Sequence, residues 1–503
     1  MAKAVRRKPT AAPYARIEDA ALIAPPLLLI AAAVLDFGAT WAQPAVFFAT
    51  LSCAWAAGLS LMHMREGQTL RFTPLQAAAG IAFAFTLAWA LFTLTPYGPF
   101  SVDQAWRLVG GPGALTLDKG ATLIEVLKLA SLGAMVFTGL VLARYERRAE
   151  RTINALLIGG ALYALWAIVS FAQNSQLVMG VEKTYHVLRL TGSFMSANSA
   201  ASLFGVLACI AWISGLRNLR AHLRHGELDL TLSRPLVGAG VRFALAGLFW
   251  VALLLTVSRA AMAATILCLV VITAVEIIEF LLRQRAGAGK ILAYTFPAAL
   301  SMVVVFTATI GQQFIGQFSS LSEDRSVREA IFATYLQTAR DAPISGMGLG
   351  SFRALNGTLI APENFQMFWS LGSAHNVFLQ WALEGGVIGF SLMALTLALL
   401  LADVARRRVA GRSGRSRASI ALAASAVLLI HNAVDYSIQV PAIAMLWALL
   451  LGLGAGAASS AQPRPTSARW RHPTLGMGAD SNTSSMASRP AGSSTRAAIS
   501  STA

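Results

Sequence analysis

Apolar residues in this chain come in long unbroken runs, not in the alternation of a half-buried strand or the single stripe of a surface helix. A hydrocarbon core of about 30 Å needs about 20 apolar residues to cross as a helix. Runs of that kind lie near 19–38, 42–62, 75–95, 121–143, 152–172, 196–215, 239–257, 260–282, 291–312, 376–401, 419–435 and 441–458. They predict an all-α polytopic membrane protein with about 12 transmembrane helices. Its membrane domain spans 19–458, between a polar segment at 1–18 and a tail at 459–503. The last two runs are short and joined by a tight turn at 437–441. The basic start MAKAVRRKPTAAPYAR followed by an apolar run has the outline of a signal peptide. Pro25 and Pro26 within that run, and the spans that follow at once, predict a retained first helix instead.

Composition agrees with the pattern. Of 503 residues, 56% are hydrophobic and 13% charged, against about 25% charged in soluble domains. A cytosolic enzyme, a disordered scaffold and a small secreted disulfide domain are excluded. The net charge of +17 would suggest nucleic acid in a soluble protein. Beside apolar spans it reads as topology and lipid headgroups, so membrane lipids are expected as partners and nucleic acid is not. With the N-terminus placed inside, 29 of the 40 Lys and Arg fall in inside segments. Nine fall outside: Arg107, Lys119, Lys183, Arg189, Arg259, Arg325, Arg328, Arg340 and Arg353. This bias predicts that both termini are cytoplasmic. Cys53, Cys209 and Cys268 lie inside apolar runs and suit neither a metal site nor a disulfide framework.

The inside loops are short and rich in arginine, with Arg406, Arg407 and Arg408 in succession, and read as topology signals. The tail from Ser459 is rich in Ser, Ala, Thr, Gly and Pro without apolar periodicity, which predicts disorder. Two outside loops are long. One, at 96–120, carries Trp106 and Pro112; the other, at 313–375, is the main element outside the membrane. Within the latter, RSVREAIFATYLQTARDAP predicts an amphipathic helix, with Val327, Ile331, Tyr335 and Phe332, Leu336 at helical spacing. Asp324 is its expected N-cap, and Pro343 closes it.

Lysine and arginine are depleted on the outer side of a membrane, so those retained there invite a reason. Arg189 precedes the sixth span, Arg259 sits in the minimal link TVSRAAM, and Arg328 lies in the loop helix. A guanidinium offers planar paired donors and a permanent charge, which suits phosphate. Arginines gathered at an outer surface therefore suggest a lipid-linked phosphate or pyrophosphate, although each could also snorkel to a lipid headgroup. His375, in SAHNVFLQWALEGGVIGF, opens the tenth span, and imidazole can take a proton from a sugar hydroxyl near neutral pH. Asn376 beside it could orient it or donate to an oxyanion. His431 and Asp435, in HNAVDYSIQVPA, are four residues apart and are expected on one helical face with a buried hydrogen bond. Glu125 and Lys128 read as an ion pair within the fourth span. GMGLGS has no strand before it and no Lys-Ser helix after it, so it reads as a turn. No metal-binding or paired-carboxylate motif stands in the outside loops, and no metal or cofactor is expected.

Five segments occur in order: RLTGSFMSANSAASLFG at 189–205, TVSRAAMAA at 256–264, REAIFATYLQTARDAPISGMGLGSF at 328–352, SAHNVFLQWALEGGVIGF at 373–390, and HNAVDYSIQVPAIAMLWALLLGLG at 431–454. Together they resemble the O-antigen ligase and O-antigen polymerase superfamily of bacterial inner-membrane glycosyltransferases, over about 115–455. The resemblance implies a periplasmic-face enzyme that moves a glycan from undecaprenyl pyrophosphate to an acceptor hydroxyl without metal or nucleotide. The acceptor is lipid A–core in the ligases and the end of another lipid-linked chain in the polymerases. By resemblance, Arg189, Arg259 and Arg328 bind the pyrophosphate, and His375 positions or deprotonates the acceptor while direct attack inverts the anomeric centre. Asn198, in SANSAAS, departs from the pattern of relatives that carry a second asparagine or a proline there. Asn376, Asn198, His431 and Asp435 are assigned supporting roles. O-antigen ligase is the leading reading, exopolysaccharide or O-antigen polymerase the alternative within the enzyme class. A lipid-linked glycan transporter is the alternative outside it.

Overall fold

The computed structural model describes residues 13–65, 71–97, 113–223, 233–283, 321–341, 344–410 and 414–456. The ninth expected span, most of the 96–120 loop, residues 313–320 and the tail from 459 lie outside the described residues. Fourteen helices are described. They are α1 (Pro13–Leu35), α2 (Ala42–Arg65), α3 (Pro74–Phe92), α4 (Lys119–Ala143), α5 (Glu146–Gln173), α6 (Ala197–Leu223) and α7 (Arg234–Leu255). They continue as α8 (Arg259–Arg283), α9 (Leu321–Asp341), α10 (Phe352–Leu359), α11 (Phe365–Phe368), α12 (Val377–Ala410), α13 (Arg415–His431) and α14 (Pro441–Ala455). Strand is confined, among the described residues, to the hairpin of β1 (Leu177–Val178) and β2 (Val181–Glu182). Nine of the described helices, α1–α8 and α12, are long and apolar enough to cross a membrane. The protein is an all-α polytopic membrane protein.

Local chemistry fixes several helix starts. Thr73 and Gln76 form a reciprocal capping box ahead of α3, with Pro74 at its first position. The Asp118 carboxylate accepts the Ala121 N–H at 2.9 Å to start α4. In α9, Leu321 already belongs to the helix, so Asp324 lies within the helix and is not the cap.

Lipid tails are as apolar as leucine, so helices here associate through close packing. The centre is held by α6 and by α14, which is buried at every position from Pro441 to Ala455. Where α4 crosses α14, glycines let the backbones touch. A Cβ on Gly139 would lie 2.5 Å from the Leu449 carbonyl oxygen, and one on Gly452 would lie 2.1 Å from that of Val136. Gly452→Leu is therefore expected to abolish the monodisperse peak of detergent-solubilised protein in size-exclusion chromatography. Gly58→Leu, where nothing lies within 4 Å, is the control and should elute as the parent does.

The two ends of the bundle differ. At one end, buried acids clamp helix termini to arginines: Asp19 meets Arg147, Arg148 and Arg151 at 2.6–2.7 Å. Glu276 joins Arg220 and Arg408, Glu279 joins Arg408 and Arg415, and Arg417 pairs with Glu146. Arginines expected as solvated topology signals thus also stitch the helices together. At the other end the links are tied by backbone hydrogen bonds. Leu190 N–H donates to Leu255, Leu117 N–H to Met347 and Val377 N–H to Asn432, each at 2.9 Å.

Two irregularities shape that end. Helix α12 kinks at Gly386, where φ is 59° and ψ −167°. The kink frees the carbonyls of Leu383 and Glu384, which accept the N–H groups of Met347 (3.0 Å) and Gly348 (2.9 Å). Gly346 needs its positive φ of 73° there, and a Cβ would meet Gly386 N at 2.2 Å. The GMGLG stretch is thus a turn seated on a broken helix. The second irregularity corrects an expectation. Helix α13 stops at His431, so Asp435 is not on the same helical face. Asn432 ends the helix, bonding back to the Leu428 carbonyl and forward to the Ile438 N–H, which turns the chain.

Candidate functional site

A cavity of about 1180 Å³ opens at the end away from the arginine clamps. One wall is the link from α5 to α6. After the β1–β2 hairpin, the buried Lys183 donates its ammonium to the Arg189 carbonyl at 3.1 Å. The Arg189 N–H donates to the His186 carbonyl at 3.0 Å, and Leu190 is bonded to Leu255. These bonds fix the backbone from which the Arg189 guanidinium reaches the cavity. Gly192 completes the turn with φ 59°, where a Cβ would sit 2.3 Å from the Tyr163 hydroxyl. Burial lowers the pKa of Lys183; burial and then the neighbouring Arg189 lower that of His186.

His375 lines the same cavity. Its φ of 51° is unusual for a residue other than glycine. The conformation is held on both sides. The Ala374 N–H donates to Gln380 Oε1 at 3.1 Å, and the Val377 N–H donates to the Asn432 carbonyl. Gln380 Nε2 in turn donates to Glu384 Oε1 at 3.0 Å, and that carboxylate also accepts the Gly350 and Phe352 N–H groups. The imidazole stands edge-on to the Tyr436 ring, centroids 5.1 Å apart. Burial and then Asp435 raise the pKa of Tyr436. Such strain persists only where surroundings enforce it, and it gathers at functional sites.

Helix α9 docks on a small core of its own. Tyr335 packs between Phe352 and Phe368 and donates its hydroxyl to Asn356 Oδ1 at 2.7 Å. Leu336, expected on the apolar face, is exposed.

Arg189 and His375 thus line one cavity. Arg259 is not among its lining residues. It opens α8 after Val257 (φ 55°) and the buried Ser258, in a turn tied to Arg189's neighbour through the Leu190–Leu255 bond. Arg328 lies on α9, and its side chain is outside the described residues. Asn376 caps α12 through Oδ1, which accepts the Phe378 and Leu379 N–H groups at 3.1 Å. That oxygen orients the helix, while the histidine is braced by Gln380 and Asn432.

The remaining three residues join a buried polar network. Asn198 Nδ2 donates to Asp435 Oδ1 at 3.0 Å, and Asp435 Oδ2 accepts the Ser437 N–H. His431 meets Ser202 at 2.8 Å and Ser258 at 3.4 Å. His431 and Asp435 therefore act through separate partners, with Ser202 and Ser437 between them.

The cavity also gathers groups to which sequence reasoning assigned no role: His186, Arg353, Tyr436, Trp381 and the ion pair Glu125–Lys128. His186 stands three residues before Arg189, and Arg353 is one of the nine outside charges; those were the available signals. Cations, imidazoles, aromatic rings and amides around one cavity suit a polar, anionic ligand held beside the bilayer. No cluster of three or more metal-ligating side chains occurs among the described residues.

A family model described as O-antigen ligase matches residues 243–394. The match runs from α7 through α9 into α12 and contains Arg259, Arg328 and His375, while Arg189 precedes it. The comparison with curated proteins gave no match.

Proposed function

We propose that this chain, which belongs to the O-antigen ligase superfamily, is a metal-independent inverting glycosyltransferase. It would transfer a glycan from undecaprenyl pyrophosphate to a hydroxyl of lipid A–core at the periplasmic face of the bacterial inner membrane. The observation that carries this reading is Arg189 and His375 lining one cavity, at the bundle end opposite the arginine clamps. The excess of cations at the clamped end supports placing that end, and both termini, in the cytoplasm.

The donor's diphosphate meets Arg189, with Arg259 and Arg328 assigned to the same group. His375 accepts the proton of the acceptor hydroxyl as its oxygen attacks the anomeric carbon. The bond from that carbon to the diphosphate oxygen breaks, and its electron pair leaves with the lipid diphosphate. The guanidinium charge stabilises the departing anion where it develops. Pyrophosphate leaves readily, so no acidic partner is needed to protonate it.

The test is reconstitution of the full chain in lipid nanodiscs with a polyprenyl-diphosphate glycan and lipid A–core. Transfer should extend the lipid A–core and release polyprenyl diphosphate. In cells lacking the protein, long lipid-linked polymer should accumulate. Accumulation of single lipid-linked repeats would instead assign a polymerase. Movement of the glycan across liposomes without cleavage of its diphosphate linkage would assign a transporter.

A further inference from the structure

The cavity holds a second histidine that the proposed reaction does not use. His186 shares three features with His375. It lines the same cavity, it is held at a left-handed φ (60°), and it is partly buried. Its carbonyl accepts the Arg189 N–H, so the two side chains leave one short turn. A left-handed φ costs a residue other than glycine backbone energy, and such strain gathers at functional sites.

We infer that His186 is a contact for the donor's diphosphate, meeting it from the same short turn as Arg189. This inference rests on the transferase reading above and assigns it a further ligand-touching group.

The charges around His186 set the direction. On its own link stand Lys183, Tyr185 and Arg189; His375 and Asp435 act on it from other elements, and Tyr436, Glu125, Lys128 and Arg353 line the same cavity. Burial acts first, then Arg189, with Lys183 and His375 adding to it, and these disfavour the protonated imidazole in the free protein. Asp435 opposes them. A diphosphate entering this space brings at least two negative charges beside the ring. It cancels the repulsion from the cations and favours the protonated form. The proton comes from water, stays on the ring while the diphosphate is bound, and returns to water when the lipid diphosphate departs. Binding should therefore strengthen as pH falls toward the free protein's lowered imidazole value and weaken as pH rises through the higher value in the complex.

Such an arrangement differs from adding another arginine, whose charge would remain when the site is empty.

The measurement is proton uptake on binding, by titration calorimetry of the full chain in nanodiscs at pH 7 in two buffers of different ionisation enthalpy. The probes are geranylgeranyl diphosphate and inorganic pyrophosphate. His186→Asn is the informative variant, because asparagine tolerates left-handed backbone and does not titrate. The parent should take up up to one more proton per bound diphosphate than His186→Asn, and the variant should bind about tenfold more weakly. His375→Gln should retain the uptake. Equal uptake and affinity in parent and His186→Asn would overturn the assignment to His186, while transfer activity would leave the parent reading standing. A parent that neither binds either probe nor transfers glycan would defeat that reading and this inference together, whereas an active parent that binds neither probe would overturn this inference alone. Uptake with inorganic pyrophosphate alone would mean that the site recognises a free anion and not the lipid.

Discussion

Replacing His375 with alanine should lower the rate of transfer by about 10²–10⁴-fold, the range expected for loss of a positioned general base. KM for the donor should change little, because the diphosphate is assigned to the arginines. The residue is neither buried in the core nor a helix cap: it lines the cavity, and its neighbour Asn376 supplies the cap of α12. Folding should therefore survive, and thermal stability should hold, since alanine keeps the same backbone cost at φ 51°. His375→Gly, which relieves that backbone cost, separates the two effects. Both variants should be equally inactive in the nanodisc assay, while His375→Gly should melt at a higher temperature than His375→Ala. Activity within a fewfold of the parent would remove the imidazole from the reaction.

The membrane helices were legible because crossing hydrocarbon demands length and apolarity, and both are written directly in the residues. Apolarity does not, however, tell a helix facing lipid from one at the bundle centre. Helix α6 is almost wholly buried while α5 is mostly not, yet both read as equivalent runs. Burial is set by contacts between distant segments, such as that of Gly139 with Gly452, more than 300 positions apart. The Asp435 reading failed for a related reason. Spacing of four implies a shared face only while the helix continues, and Asn432 ends it by hydrogen bonds to Leu428 and Ile438. Arg189 and His375 were legible as chemistry because charge and imidazole are conspicuous at an outer boundary. Their common cavity was not, since it depends on the Leu190–Leu255 and Val377–Asn432 bonds. The role of Gln380 and Glu384 was equally hidden. They look like polar residues inside a span, and only the fold shows them carrying the backbone beside His375 and the glycine turn.

Arg189→Ala should reduce kcat/KM for transfer by about 10²–10³-fold, the loss typical of a donor aimed at charge that grows in the transition state. Arg189→Lys tells whether charge or geometry matters. A lysine restores the charge but supplies a single point of contact where the guanidinium presents two parallel donors. Partial recovery, with binding of polyprenyl diphosphate restored more than turnover, is the expected result. The backbone argues against a folding explanation. The bonds that hold this turn use the Arg189 carbonyl and N–H, not its side chain, so Lys183 and His186 keep their partners in either variant. Lys183→Met makes the complementary change. It leaves the guanidinium intact but removes the ammonium that fixes the Arg189 carbonyl, so it should cost less than Arg189→Ala and act mainly on turnover. A Lys183→Met loss as large as that of Arg189→Ala, with unchanged diphosphate binding in both, would mean that the link serves only to shape the cavity and that the diphosphate is held elsewhere.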